Sequence, residues 1–282
     1  MRFLSLSLAA GALAVSPATA LAQTPESTCA AKAKTKTVER VGNGEIDYGR
    51  CVIRVFGNGA PPSQVGKGAG AIARARLMAE RAAQMDAFRN ILEVAKGVRV
   101  QGESTADELA FQNPMVRTKV QGAIRNWRVV NTRYFSDASV QVEVEVPLKA
   151  VTSHVAPKAE TVAVNTSGKE AYTGLIVDAR GTKLRPSAFV DVKDEKGASV
   201  YSVGHVAAKV MQETGANASF VKSMEDAKAA EGVKGAPLVV KAVRAADKNA
   251  GIVISSKDAA LFGKSDINYT FLRNAQVIVV ID

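Results

Sequence analysis

The stretch 66–96 constrains the fold of this chain more than any other, because its pattern predicts one long helix. Its apolar residues recur at spacings of three, four or seven and therefore lie on one side of a helix: Ala71, Ala75, Met78, Ala82, Met85, Leu92 and Ala95. Gly97 follows the last of them and is typical of a left-handed helix C-cap. Since this stripe consists mostly of Ala and Met, we expect the element that covers it to approach closely.

Strand patterns on both sides of the helix predict that covering element. Residues 51–56 are predicted as a strand, and 127–135 with 140–146 as a hairpin. The last strand alternates a valine face, expected to be buried, with a polar face, expected to be wet: Val140, Val142, Val144 and Val146 against Gln141, Glu143 and Glu145. Residues 45–148 are thus predicted to form an α+β domain with the long helix on an antiparallel sheet.

Two shorter helices are predicted between the long helix and the hairpin. Thr105 and Glu108 have the spacing of a capping box, which favours a helix over 106–111. Residues 115–124 are predicted to continue as a further helical piece after Pro114.

The second half of the chain predicts a different, mostly β domain. Residues 149–170 lack a sustained period and are predicted as a linker. Residues 171–282 are predicted as a β-rich domain with short helices, one of them over 220–230. The apolar run 276–281 is predicted as a strand in a central position. The fold class expected for the whole chain is α+β, in two small domains.

The N-terminus has the pattern of a secretory signal peptide over residues 1–22. Arg2 precedes an apolar run, and Ala20-Leu21-Ala22 is a small-x-small cleavage motif, so cleavage is expected between Ala22 and Gln23. A retained N-terminal anchor is the alternative. Residues 23–44 are polar and aperiodic and are predicted as a mobile lead-in. No later segment has transmembrane length, so the mature chain is expected to be periplasmic without a membrane span.

Cys29 and Cys51 are the two cysteines, and both follow the cleavage site. Export brings them into an oxidising compartment, where a disulfide would tie the N-terminal segment to the first strand. Free buried thiols are the alternative. Cys29 follows Glu26-Ser27-Thr28 rather than a lipobox, so lipidation is not expected.

The formal net charge of +10 limits the partners without naming one. A basic chain is suited to anionic headgroups, cell-wall polymers or nucleic acid. Export and an aromatic content of only 5% argue against nucleic acid. Because the charge is spread along the chain, an ordinary solvated surface is the simpler interpretation.

Candidate chemistry in the sequence is sparse. Residues 66–71 match G-x-G-x-x-A, a dinucleotide-binding pattern, but the preceding strand ends too far away for the tight turn that this site needs. The alternative is a Gly-rich helix start where backbones pack closely. His154 and His205 are the two histidines, too few for an evident triad or zinc site.

Carboxylates give no stronger signal. Glu143 and Glu145 share a strand face and could form a glycosidase pair, but their period places them on the wet face. Asp178 and Asp282 close apolar strands and are interpreted as strand ends. No cofactor, metal site or catalytic residue is predicted.

The first half resembles a known bacterial family. Ala79, Ala82, Ala83, Asp86 and Ala87 on the long helix, followed by Tyr134 and the 140–146 strand, are similar to the domain of the twenty-kilodalton lipoproteins and to the N-terminal part of flagellar assembly protein T. The segment YTGLIVDARGTKLRPSAFVDVKDEKGASVY resembles a segment beside that domain in exported bacterial proteins. The resemblance implies an envelope protein, outer-membrane-associated or linked to flagellar assembly, with no catalytic residues to transfer.

The sequence therefore predicts a non-enzymatic periplasmic protein with a structural or assembly role. Its expected partners are other envelope proteins or further copies of itself. The alternative is a module that binds an envelope ligand or polymer through its basic surface, in peripheral contact with the outer membrane or cell wall.

A first prediction concerns the cysteines. If Cys29 and Cys51 are paired in the exported protein, alkylation in denaturant without reductant should label neither residue, and reduction should expose both. Mass spectrometry of the alkylated protein measures this. Labelling of both residues without reductant would contradict the pairing.

Overall fold

The computed structural model describes residues 28–64, 67–246, 248 and 251–282. The predicted signal segment and its cleavage site at Ala22 and Gln23 lie outside these residues. The first half contains a five-stranded antiparallel sheet, built from β1 (Val38–Val41), β2 (Gly44–Asp47), β3 (Val52–Gly59), β6 (Arg128–Tyr134) and β7 (Val140–Pro147). The order across the sheet is β1-β2-β3-β7-β6, and β6 and β7 form the predicted hairpin.

The long helix α1 (Ala69–Lys96) covers one face of this sheet, as predicted. The four alternating valines of β7 lie beneath it and are fully or almost fully buried. The buried stripe of the helix differs from the predicted one, because it repeats every four residues: Ala71, Ala75, Ala79, Ala83, Ala87 and Ile91. Met78, Ala82 and Met85, which the sequence pattern assigned to the stripe, are exposed.

Close contact between backbones explains why the smallest residues occupy this stripe. A Cβ atom added to Gly57 would lie 2.1 Å from the Ala83 carbonyl oxygen, and one added to Gly59 would lie 1.8 Å from that of Ala79. The helix and β3 therefore meet without an intervening side chain. Alanine stripes permit this approach, whereas methionine would hold the two elements apart.

Gly97 ends α1 in a right-handed conformation with φ −77°, so the predicted left-handed cap is wrong. A glycine is needed there for a different reason. A Cβ at this position would lie 2.7 Å from Cγ1 of Val41 on β1. The constraint is space against the sheet rather than backbone handedness.

Short elements connect α1 to the hairpin. They are β4 (Arg99–Gln101), β5 (Ser104–Thr105) and α2 (Pro114–Ile124), with one π-helical turn over Asp107–Phe111. The capping-box interaction is half present, since the Thr105 N–H donates to the Glu108 carboxylate at 3.4 Å. Asn113 caps α2 by accepting from two backbone N–H groups, which confirms a helix after Pro114.

The second half is mostly strand, as predicted, with a seven-stranded mixed sheet. Its strands are β9 (Leu175–Asp178), β10 (Val192–Lys193), β11 (Ser199–Tyr201), β12 (Ser219–Val221), β13 (Leu238–Ala245), β14 (Ile252–Ile254) and β16 (Val277–Val280). The order is β11-β10-β14-β13-β9-β16-β12. The terminal strand β16 pairs with β9 on one side and β12 on the other, so its predicted interior position is confirmed.

Short helices and a small two-stranded sheet complete this half. They are α3 (Lys149–Thr152), α4 (Ala208–Thr214), α5 (Met224–Ala229), α6 (Ser256–Ala259), α7 (Thr270–Arg273), β8 (Glu170–Ala171) and β15 (Ile267–Asn268). The helix predicted over 220–230 begins later than expected. Phe220 and Val221 belong instead to β12, where they pair with β16.

One hydrophobic core runs through both halves of the chain. Tyr48 illustrates the connection, because its carbonyl accepts from the Phe220 N–H and its hydroxyl accepts from the Arg99 N–H at 2.8 Å. Gln101 forms a parallel bridge with Phe189. The predicted linker also contributes, since Val151 and Thr152 are fully buried and the Thr152 hydroxyl donates to the Gly215 carbonyl.

The prediction of a mobile lead-in is wrong over residues 28–44, the part of that segment that the structure describes. Ala31 and Ala33 are fully buried, and the Ala31 carbonyl accepts from the Gly232 N–H in the second half. Cys29 is disulfide-bonded to Cys51, with Cα atoms 5.2 Å apart. The segment has a polar composition, but the small side chains of Ala31 and Ala33 are buried, and composition alone does not predict this.

A second prediction tests the close contact of α1 and β3. Replacing Gly59 with Ala should lower the free energy of unfolding by about 3 kcal/mol, because the new methyl overlaps the Ala79 carbonyl. Gly122 is the matched control: it lies in α2 with nothing within 4 Å of an added Cβ. Gly122→Ala should therefore raise stability by about 0.5–1 kcal/mol. Urea denaturation measures both, and equal effects would contradict the contact.

Candidate functional site

An extended segment, residues 156–165, crosses the surface of the second half, and we call it the strap. Its backbone is tied in the middle, where the Val162 N–H donates to the Gly204 carbonyl at 2.9 Å. Gly204 permits this approach, because a Cβ there would lie 2.3 Å from the Glu160 carbonyl oxygen. At its end, the Asn165 side chain donates to the carbonyls of Ser265 and Ile267.

Two cavities lie against the strap and share its residues 162–164 and His205 as walls. The first, which we call the polar cavity, has a volume of about 800 Å³ and includes Asp194, Lys196, Lys264 and Tyr269. The second, the apolar cavity, has a volume of about 790 Å³ and includes Phe189, Val206 and Met211. Both volumes fall within the range of small-molecule sites, about 300–1,000 Å³.

In the polar cavity, the Asp194 carboxylate and the Tyr269 hydroxyl are engaged in hydrogen bonds. The Asp194 carboxylate accepts from the N–H groups of Lys196 and Ala198, which closes the turn between β10 and β11. The Tyr269 hydroxyl donates to the Leu261 carbonyl and accepts from the Lys264 N–H at 3.1 Å. These bonds shape the wall of the polar cavity.

His205 is the sequence-predicted candidate that reaches the cavities. Its Nδ1 accepts from the Ser202 N–H at 3.1 Å and lies 3.2 Å from the Ser202 hydroxyl, so it caps a single turn over Val203–His205. Burial holds the pKa of His205 below its ordinary value. The bond to Nδ1 requires a neutral ring with its proton on Nε2, which gives the histidine a structural role at this cap.

His154 lies apart from this arrangement. It is exposed just after α3, and it lines neither of the two cavities. Partial burial, with the charge of Lys119 nearby, lowers the pKa of His154. The two histidines therefore do not share a site in the structure.

Glu143 and Glu145 occupy one face of β7, but the prediction that this face is wet is wrong for Glu145. Its side chain is only 3% exposed and contacts three arginines: Arg54, Arg128 at 3.1 Å and Arg50 at 3.7 Å. Arg54 also bonds Glu143 at 3.2 Å. A carboxylate held by three guanidinium groups stabilises the sheet surface, and neither glutamate lines either of the two cavities described above.

The aspartates at strand ends behave as interpreted. Asp178 is the last residue of β9 and accepts from the Arg180 guanidinium, and this hydrogen bond lowers the pKa of the carboxyl. The Asp282 carboxylate accepts from the Gly181 N–H at 3.0 Å. The two side chains therefore organise the loop that follows β9.

Gly66, the first residue of the Gly-rich pattern at 66–71, lies outside the described residues. Gly68 has φ +106° and precedes α1, and an added Cβ on Gly68 or Gly70 would meet nothing within 4 Å. The interpretation of these two glycines as positions of close backbone packing is therefore wrong. Gly68 instead supplies a backbone conformation that other residues rarely adopt.

The outer surface of α1 is a second candidate, which sequence reasoning missed. Ile72, Leu77, Met78 and Met85 are between 51% and 58% exposed. Arg74, Arg81 and Arg89 are exposed on the same helix, and none of them forms an ion pair with another described residue. We call these seven residues the outer face of α1. The four-residue repeat of alanines is the signal that could have found it.

Among the described residues, no helix is both long and apolar enough to cross a membrane. No group of three or more His, Cys, Asp or Glu in these parts of the chain is arranged to hold a metal ion.

Comparison with known families concerns the second half of the chain. The family model of the second domain of Treponema pallidum Tp0624 matches residues 174–282. This part of the chain is similar to that domain. The match begins just before β9 and includes all seven strands of the mixed sheet. The strap lies before the matched residues. No curated protein matches the chain.

A third prediction follows from His205. Because its pKa is lowered in the folded state, its contribution to stability is complete above about pH 6.5 and is lost as the pH falls below that value. His205→Asn keeps an acceptor near the Ser202 N–H but does not titrate. Its stability should therefore fall less than that of the wild type between pH 7.5 and 5, measured by urea denaturation at each pH.

His154→Asn is the matched control for this experiment, since His154 is more exposed. It should leave most of the pH dependence in place. If His154→Asn flattened the curve and His205→Asn did not, the assignment to His205 would be wrong.

Proposed function

We propose that this chain is a non-enzymatic periplasmic protein with a structural or assembly role in the cell envelope, and that it docks a partner protein on the outer face of α1. The observation that carries the proposal is the combination of exposed apolar side chains with unpaired arginines on one helix. Leu77, Met78 and Met85 expose more than half of their surface, a cost that a partner would remove.

The charges of this face indicate the kind of partner. Arg74, Arg81 and Arg89 lie among the apolar residues, so two copies of this face would place like charges opposite each other. The acids nearest on the helix are engaged, since Glu80 accepts from the Tyr134 hydroxyl and Asp86 from the Asn58 N–H. We therefore favour an acidic envelope protein over face-to-face self-association.

Two features support the proposed periplasmic location. The N-terminal segment has the pattern of a signal peptide, and Cys29 and Cys51 are joined as expected in an oxidising environment. Both features support export. The resemblance of the first half to the twenty-kilodalton lipoproteins and to flagellar assembly protein T supports an envelope role and suggests a flagellar one.

The second candidate function is binding of an anionic envelope polymer or lipid headgroup. The unpaired arginines of the same face favour it, together with the net charge of +10. The two candidates differ in their dependence on salt. Apolar docking should survive high salt, whereas binding by exposed arginines should fade as the Debye length falls to about 3 Å at 1 M salt.

A fourth prediction tests the docking surface. The tagged mature protein should recover a specific envelope protein from detergent-solubilised envelope, and recovery should persist in 0.5 M salt. The double variant Leu77→Glu, Met85→Glu should lose at least about 90% of this recovery, since two desolvated charges cost several kcal/mol at an interface. Quantitative mass spectrometry of the captured proteins measures the loss.

Met115→Glu is the matched control, because Met115 is 73% exposed but lies on α2. It should retain the partner. Equal recovery by the wild type and the double variant would contradict the proposed surface. Retention on isolated cell wall that disappears in salt would favour the second candidate instead.

A further inference from the structure

All the charged side chains that line the apolar cavity are positive. Its walls include Phe189, Val206 and Met211 from the second half and alanines of the strap. Lys158 and Arg273 are the charged residues among its lining, and no Asp or Glu lines it. A site of this kind suits a ligand with an apolar body and a negative end.

Both cations are available to such a ligand. Arg273 is the last residue of α7 and is exposed, and Lys158 is exposed on the strap. Neither side chain forms an ion pair or a hydrogen bond with another residue in the described part of the chain. The Arg273 backbone is nonetheless fixed, because its carbonyl accepts from the Ala207 N–H at 2.9 Å. The guanidinium is therefore presented from a rigid element beside the apolar wall.

The strap makes one wall of this cavity without filling it. Among the described residues, Val162 makes the single backbone hydrogen bond that the strap forms between 156 and 164. The opposite wall is firmer, since Phe189 is fully buried and its N–H donates to the Val100 carbonyl. A chain-like ligand can thus lie between a fixed apolar floor and a lightly held strap.

We propose that the apolar cavity binds a single-chain amphipathic anion, with the chain on the apolar wall and the acidic head at Lys158 and Arg273. The shared chemistry is an alkyl chain ending in a carboxylate or a phosphate. The polar cavity is a poorer site for it, because the carboxylate of Asp194 lies in its wall. This site is independent of the outer face of α1.

The fifth prediction uses dodecanoate as the probe, below its micelle concentration, in isothermal titration calorimetry with the disulfide-bonded protein. We expect one saturable site. Dodecyl phosphate should bind as well, and 1-dodecanol should bind at least tenfold more weakly because it has no charge to pair with the two cations. The comparison of dodecanoate with dodecyl phosphate shows which acidic head is preferred.

Two pairs of variants locate the site. Lys158→Gln with Arg273→Gln should weaken dodecanoate binding on the order of tenfold, whereas Lys209→Gln should not, because Lys209 is exposed on α4 outside the lining. Ala208→Trp, in the apolar cavity, should abolish binding. Ala198→Trp, in the polar cavity, should leave it intact.

Circular dichroism of each variant establishes that it is folded before titration. Absence of saturable binding by the folded wild type would overturn the proposal. So would binding that Lys158→Gln with Arg273→Gln and Ala208→Trp leave unchanged, or equal affinity for dodecanoate and 1-dodecanol. Loss of the partner in the envelope pull-down would not affect this result, since that experiment concerns a different surface.

Discussion

Direct contact between the backbones of α1 and β3 governs the first half of this protein. At Gly57 and Gly59 the strand has no side chain, and the alanines of the helix sit against it. Five successive turns of the helix, from Ala71 to Ala87, contribute an alanine to the buried stripe, and rotation of the helix about its axis would place larger side chains against the strand. The larger apolar residues between positions 72 and 85 then face away from the sheet, whereas Ile91 and Val94 in the last turns of the helix are buried. The exposure of Leu77, Met78 and Met85 is thus a consequence of the seam, and it creates the apolar surface at which we propose that a partner docks.

The two halves of the chain share a core, which changes how the polar segments between them are understood. The N-terminal segment is held by the Cys29–Cys51 disulfide and by β1, and it reaches the second half through the Ala31 carbonyl. Arg99 contributes from the other side, with its backbone carbonyl accepting from the Ala188 N–H. Because main-chain hydrogen bonds cross the boundary, relative motion of the halves would break buried polar contacts, which is costly.

The strap links this architecture to the proposed ligand site. The family match covers the seven-stranded sheet but not the strap, so the walls of both cavities combine residues of the matched region with residues before it. Gly204 lets the strap approach closely at one point, and Asn165 fixes its end. Between these points the strap divides the surface into a polar and an apolar space. The proposed surface for a protein partner and the proposed cavity for a small amphiphile therefore lie on different parts of the molecule.

The sequence by itself determined the elements whose period is strong. The long helix, the β6–β7 hairpin with its buried valines, and the interior strand β16 all follow from patterns that local side-chain chemistry imposes. Only the tertiary structure decided which stripe of α1 is buried, because both Ala and Met stripes satisfy the helical period and the glycines of β3 select the smaller one. It likewise decided that Glu145 is buried, since the three arginines that cover it come from separate strands and loops. The walls of each cavity combine residues that lie more than a hundred positions apart in the sequence. No local sequence pattern predicts that such distant residues come together.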